Sequence, residues 1–247
     1  KTPWETSHAK HFPEWHPVEK GTMTARNLHS KRPMNDIPKK LLILIGSPRR
    51  NGNCSLLAEA VAKGAKATGA EVTTHFVDDF VTEFLKDNRT NRREDGEDDS
   101  QDGFRDVFFN DFLPADGVVF CSPIYWSAMS GQMKTFFDRT FTYYAASYPE
   151  SERVIEGMKY KRIGLVLSSE ETYPGVALGP IHQIQEYSRY THSELVGVVR
   201  GVGNSRGDVL KDPTKPIEQA ETLGETMFSR SYSDYRIDTE RPAKVWG

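Results

Sequence analysis

"LLILIGSPRRNGNCSLLAEAVAKG", residues 41–64, joins an aliphatic run, a small polar loop and a helical repeat of apolar residues within one short stretch. The run reads as a strand buried on both faces, and from Cys54 onward the apolar residues return at helical spacing. The loop between them, "GSPRRNGNCS", lies between a strand end and a helix start. There, unpaired backbone N–H groups and the helix dipole favour an anion. Ser47, Asn51, Asn53 and Ser55 add neutral donors, and Arg49 offers a charge-assisted hydrogen bond. The commonest nucleotide loop ends in Gly-Lys-Ser/Thr, where lysine reaches the outer phosphates and the hydroxyl holds magnesium. Here Gly52 is followed by Asn53 and Cys54, and the pattern G-x-G-x-x-G is missing as well. ATP or GTP hydrolysis is therefore not expected, and a phosphomonoester held without metal is.

Working outward, the same order repeats. "AEVTTHFVD" reads as a second buried strand, "FRDVFFNDFL" as a short helix, and "DGVVFCS" as a fully buried third strand. "SGQMKTFFDRTFTYY" is an amphipathic helix, "KYKRIGLVLSS" the fourth strand, "GPIHQIQEYSRYT" a helix and "SELVGVVRGV" the fifth strand. "DPTKPIEQAETLGETMFSR" closes the set as a helix, with Asp212 as its N-cap and Pro213 at its first position. Buried strands alternating with helices predict an α/β fold, a five-stranded parallel sheet of order 2-1-3-4-5 with helices on both faces. Ligands of such sheets sit beyond the carboxyl ends of the strands where the winding reverses. That rule selects residues 46–54 and 122–130. The expected organisation is an N-terminal extension, 1–38, an α/β domain, 39–229, and an irregular tail, 230–247.

The second selected loop, "CSPIYWSAMSGQMKTFFDRT", puts Pro123, Tyr125 and Trp126 at the mouth of the central strand. An aromatic turn beside a phosphate cradle suits a flat, amphipathic ring carried on a phosphate tail. FMN has that shape.

"GSPRRNGN" followed by "ADGVVFCSPIYWSAMSGQMKTFFDR" resembles the NADPH-dependent FMN reductase family of flavodoxin-like proteins, and most closely its iron-sulfur flavoprotein branch. The resemblance implies that Ser47, Arg49, Asn51, Asn53, Cys54 and Ser55 hold the FMN phosphate. It implies that Pro123, Ile124, Tyr125 and Trp126 lie along the isoalloxazine. "SSEETYPG" matches the corresponding family loop poorly, which leaves Ser168 and Ser169 as the ring contacts expected there. The branch carries a compact cysteine motif before the "ADGVVF" strand; this chain has "LKDNRTNRREDGEDDSQDG" there, with no thiolate to hold a cluster. No metal is expected. The implied activity is an FMN-dependent NAD(P)H oxidoreductase passing electrons from NADPH or NADH to a quinone, flavin or small aromatic acceptor, by a ping-pong cycle over one flavin face. A tailoring enzyme for one organic metabolite and a non-enzymatic FMN electron carrier stay open beside it. Family members commonly build the flavin site between subunits, which implies a homodimer or homotetramer with the third helix near the contact.

Composition bounds the remaining possibilities. The 247 residues carry a formal net charge of -3, which gives no global attraction to nucleic acid or an anionic membrane. No apolar run approaches the roughly 18–20 residues of a membrane helix. Two cysteines, Cys54 and Cys121, are too few for a disulfide framework, and a cytoplasmic setting is expected. Tyr143, Tyr144, Tyr148 and Tyr160 admit two readings, a substrate pocket or core and interface. Arg89, Arg92 and Arg93 read as a solvated loop or as a grip on the extra phosphate of NADPH. His8, His11 and His16 read as part of the arm rather than a zinc site, and "RGVGNSRGD", 200–208, as a turn.

Overall fold

A computed structural model of the chain describes residues 37–86 and 100–230. β1 (Lys40–Ile45), β2 (Glu71–Phe76), β3 (Gly117–Tyr125), β5 (Arg162–Ser169) and β6 (Glu194–Val202) form a parallel sheet of order β2-β1-β3-β5-β6. This is the expected winding, with β1 and β3 flanking the reversal. A two-residue strand, β4 (Ala128–Met129), turns back antiparallel on the end of β3.

β1 shows why the run is aliphatic throughout. Leu41, Ile43 and Ile45 enter one core and Leu42 and Leu44 the other, and none is more than 3% exposed. β2 corrects the reading of uniformly buried strands: it is the sheet edge, with Glu71, Thr73 and Thr74 exposed. Its mixed polarity records one-sided cover.

On one face lie α1 (Asn53–Ala67) and α6 (Pro216–Thr226). They meet through glycines: a Cβ at Gly64 would stand 2.0 Å from the Glu221 carbonyl oxygen, and one at Gly224 2.1 Å from that of Val61. α6 begins three residues later than expected, at Pro216, after a left-handed Lys215 (φ 55°). Asp212 does not cap it. Its carboxylate instead accepts from the Val202 N–H at 2.6 Å and the Thr214 N–H at 2.9 Å, binding the end of β6 to the loop before α6.

The other face is aromatic. α2 (Phe104–Val107) runs on into a wider π turn over Phe108–Phe112, and α3 (Gly131–Tyr144), α4 (Ser151–Met158) and α5 (Leu178–Tyr190) complete the layer. α4 was not foreseen; its signal, Val154 and Met158 buried four apart, is too short to stand out as a period. Tyr143 and Tyr148 are core residues packed with Phe108 and Phe109, so the pocket reading fails for both, and neither lies on a surface where subunits could meet. Tyr160 is exposed.

Arg139, 1% exposed, forms a buried ion pair with Asp102 and lies over the Phe104 ring at 4.4 Å. Asp102 also accepts from the Thr82 and Glu83 N–H groups at 2.8 and 3.1 Å. Burial pushes the Asp102 carboxyl up, but these bonds and the Arg139 charge outweigh it and hold it below the usual carboxylate range. Arg89, Arg92 and Arg93, and His8, His11 and His16, lie outside the described residues.

Candidate functional site

At the carboxyl ends of β1, β3, β5 and β6 a cavity of about 520 Å³ opens beside the start of α1. This lies within the range of about 300–1,000 Å³ common to small-molecule clefts. Its floor at one end is the loop after β1. Gly52 stands at the N-cap of α1 and supplies no side-chain oxygen, so the N–H groups of Asn53, Cys54 and Ser55 have no hydrogen-bond partner among the described residues. All three residues are buried. Three unanswered donors at a buried helix start form an anion cradle.

The side chains of the loop divide between lining and bracing. Ser47, Arg49, Asn53 and Cys54 line the cavity, whereas Asn51 and Ser55 do not. Ser55 Oγ donates to the Arg49 carbonyl at 3.3 Å, and Asn51 Oδ1 accepts from Arg206 Nε at 2.8 Å. Asn53 lines the cavity but its amide is already engaged, donating to the Gly203 carbonyl at 2.9 Å and accepting from the Val209 N–H at 3.4 Å. What it has left to offer a ligand is its backbone N–H. Arg50 is likewise taken, paired with Asp78 and Asp79 over the Phe76 ring. Among the described residues Arg49 and Arg206 meet neutral oxygens, those of Asn204 and Asn51, rather than carboxylates.

The opposite wall comes from the β3–β4 hairpin. Pro123, Ile124, Tyr125, Trp126 and Ser127 line the cavity, with Tyr125 46% exposed and Trp126 fully so. Trp126 and Ser127 are the two central residues of the turn, and both are left-handed (φ 53° and 59°). Hairpin turns of this hand are normally built from Asn and Gly, and each bulkier residue there costs about 1–2 kcal/mol. Strain of that kind is typical of ligand sites. Ser168, Ser169, Glu170 and Glu171, at the end of β5, close a third side, and Gly203 and Asn204 a fourth.

The two expected loops are joined by one residue. Ser130 caps α3, its Oγ accepting from the Met133 N–H at 3.3 Å and donating to the Gly46 carbonyl at 2.6 Å. Its N–H donates to Ser122 Oγ at 3.0 Å. Gly46 permits this approach, since a Cβ there would stand 2.7 Å from Ser130 Oγ. Behind the cradle, Cys121 Sγ donates to the Cys54 carbonyl at 3.2 Å, and burial together with the neighbouring Cys54 pushes the Cys121 thiol well above its ordinary value. It is a neutral thiol, not a nucleophile.

Sequence reasoning missed Ser127, Glu170, Glu171, Gly203, Asn204 and Arg206. The last three lie within "RGVGNSRGD", which is a turn as expected and also a wall of the cavity. Only the sheet order, which sets β6 two strands from β3, brings that turn to Asn51 and Asn53. Among the described residues no group of three or more His, Cys, Asp or Glu is placed to hold a metal ion, and no helix is long and apolar enough to cross a membrane.

A family model described as "flavodoxin-like fold" matches residues 39–200, and the chain belongs to that family. Among relatives, a Bacillus subtilis (strain 168) protein named as an NAD(P)H-dependent FMN-containing oxidoreductase is 28% identical over 115 residues. The matched segment is 46% of this chain and 59% of that relative, so the chain spans about three fifths of its length. Among solved structures, the Trp repressor binding protein of Bacillus subtilis superposes with a TM-score of 0.55 at 21% identity, over 78% of this chain and 99% of that one. An NAD(P)H:quinone oxidoreductase from Methanothermobacter marburgensis gives 0.54 at 18% identity, over 77% and 97%. An FMN-dependent NADH-azoreductase from Bacillus anthracis, solved with FMN, gives 0.54 at 14%, over 76% and 96%. At these identities the structural matches establish the fold.

Proposed function

We propose that the chain is an FMN-dependent NAD(P)H oxidoreductase that passes electrons to a quinone, a flavin or another small aromatic acceptor. The observation that carries the reading is the juxtaposition of unanswered N–H donors at a helix start with an exposed aromatic wall across one cavity. The donor set fits a phosphomonoester: the N–H groups of Asn53, Cys54 and Ser55, the Ser47 hydroxyl, and the Arg49 guanidinium. The side chains of Asn51, Ser55 and Asn53 brace that cradle rather than contact the anion. FMN, when bound, supplies hydride chemistry, and the protein supplies position and shielding.

In this reading Pro123, Ile124, Tyr125 and Trp126 flank the ring, and Ser168 and Ser169 lie at its other margin. Ser169 Oγ donates to the Glu171 carbonyl at 3.0 Å, and its backbone belongs to the ladder with β6, so its contribution to a ligand is its shape. Glu170 and Glu171 give the ring end a negative charge, opposite to the phosphate end. No side-chain acid or base is assigned to the reaction. The names of the B. subtilis relative and of the quinone reductase and azoreductase support the same class. A homodimer or homotetramer in the cytoplasm completes the proposal, with the subunit contact on surfaces other than Tyr143 and Tyr148; light scattering tests the assembly.

The test of function is the absorbance spectrum of the purified chain, followed by anaerobic titration with NADPH and with NADH. Flavin absorbance that bleaches on titration is expected. A colourless chain that takes up no added FMN overturns the reading.

A further inference from the structure

Trp126 is the one bulky apolar side chain of the cavity wall that is wholly exposed, and the turn that carries it is unfavourable by itself: Trp126 and Ser127 are both left-handed. Something outside the hairpin must fix it. The base is held by the Ser122, Ser130 and Gly46 hydrogen bonds. The tip rests on α5. There the Ser127 carbonyl oxygen lies only 2.4 Å from where a Cβ of Gly179 would stand, against 3.4 Å or more in ordinary contact. Gly179 is the second residue of α5, so the carbonyl dipole also points at the positive end of that helix.

We propose that Gly179 is a positioning residue: by lacking a side chain it sets the height of the Tyr125–Trp126–Ser127 wall over the cavity, and so the gap that admits a flat ring. The inference rests on the reading of the cavity as a ring-binding site and assigns that site's geometry to a residue that does not line it. Any side chain at 179 lifts the Ser127 carbonyl by about 1 Å, a displacement that in a positioned site costs on the order of a hundredfold in rate. The anion cradle, on another strand and helix, is untouched.

The test compares Gly179→Ala with Gly131→Ala, since Gly131 also opens a helix beside the hairpin but has nothing within 4 Å of its Cβ position. In the full chain without cofactor, amide exchange of residues 126–129 followed by mass spectrometry should accelerate at least about tenfold in Gly179→Ala and stay unchanged in Gly131→Ala. With FMN, Gly179→Ala should alter the visible circular dichroism of the flavin and lower kcat/KM for an aromatic acceptor by about tenfold to a hundredfold, with the FMN dissociation constant within about threefold. Adding Ser127→Gly, which relieves the left-handed strain and lets the carbonyl turn aside, should restore much of both, and this double variant serves if the single one folds poorly. Unchanged exchange and dichroism in Gly179→Ala, equal losses in Gly131→Ala, or no rescue in the double variant would each overturn the proposal. A wild-type chain that takes up no flavin refutes the proposed function instead, and the exchange measurement still decides whether Gly179 sets the hairpin.

Discussion

The two faces of the sheet are filled by different means. Under the anion cradle, α1 and α6 lie against aliphatic residues of β1, β3 and β5 and approach so closely that Gly64 and Gly224 touch the opposite helix backbone. On the other face, aromatic rings fill a deeper space, and among them sits the buried pair Arg139–Asp102. A glycine seam fixes distance through contact between backbones; an aromatic layer fixes it through side-chain volume. The first is well suited to holding a helix start at a constant place, and the cradle depends on that. The second roofs the sheet and ties Thr82 and Glu83 to Asp102 through hydrogen bonds to its carboxylate.

The aromatic face should be broken most severely by Arg139→Met. Removing one partner of a buried pair leaves Asp102 uncompensated and typically costs about 3–5 kcal/mol, measured as a fall in the urea midpoint. The pair also makes a pH signature. Because the Asp102 carboxyl is depressed in the folded state, its contribution is complete above the unfolded value, about 3.9, and is lost as pH falls through the lower folded value. Wild type should therefore lose more stability than Asp102→Asn on going below pH 4.

The aliphatic face should yield less. Gly64→Ala or Gly224→Ala forces α1 and α6 apart, and overpacking of this kind costs about 1–3 kcal/mol. If the seam positions the cradle, FMN affinity should fall together with stability in these variants and stay unchanged in variants of the aromatic core of equal stability loss.

At the cradle the expected effect is smaller and more specific. Arg49→Ala should weaken FMN binding about tenfold, about 1.4 kcal/mol, while Arg50→Ala, whose charge is already answered by Asp78 and Asp79, should leave it within about threefold. Flavin fluorescence titration distinguishes the two. Equal losses would mean that net charge, not a placed guanidinium, attracts the ligand.

A separate test on the aromatic face concerns Lys161, buried below the aromatic layer with Nζ donating to the Leu113 and Ala115 carbonyls at 2.8 and 2.6 Å. Burial lowers its pKa to about 8, partly countered by Asp116. Between that value and about 10.4 the unfolded chain holds the proton and the folded chain does not, so stability should rise with pH across this window. Lys161→Met should remove the rise, as read from urea midpoints at pH 8 and pH 10.

The winding of the sheet was legible from residues 41–64 and the strands that follow, because burial on both faces leaves an unbroken aliphatic run that no other element needs. The loop that joins β1 to α1 was legible too, since a strand end, a glycine and a helix start are contiguous in the chain. Local sequence failed where a position is set by a distant neighbour. The Asn53 side chain reads as a free donor and is engaged within the fold, because Gly203 and Val209 reach its amide across 150 residues or more. Tyr143 and Tyr148 admit a pocket as well as a core or interface reading, and the packing between α2, α3 and α4 decided for the core. Asp212 reads as a helix cap and binds a strand end instead. The sequence by itself determined the alternation of strand and helix and the loops at which the winding turns, for these depend on periodicity and on short-range backbone chemistry. Tertiary structure decided which donors remain free, which arginine is paired with carboxylates, and how high Trp126 stands over the cavity, because each of these is a contest between partners that the chain brings together only when folded.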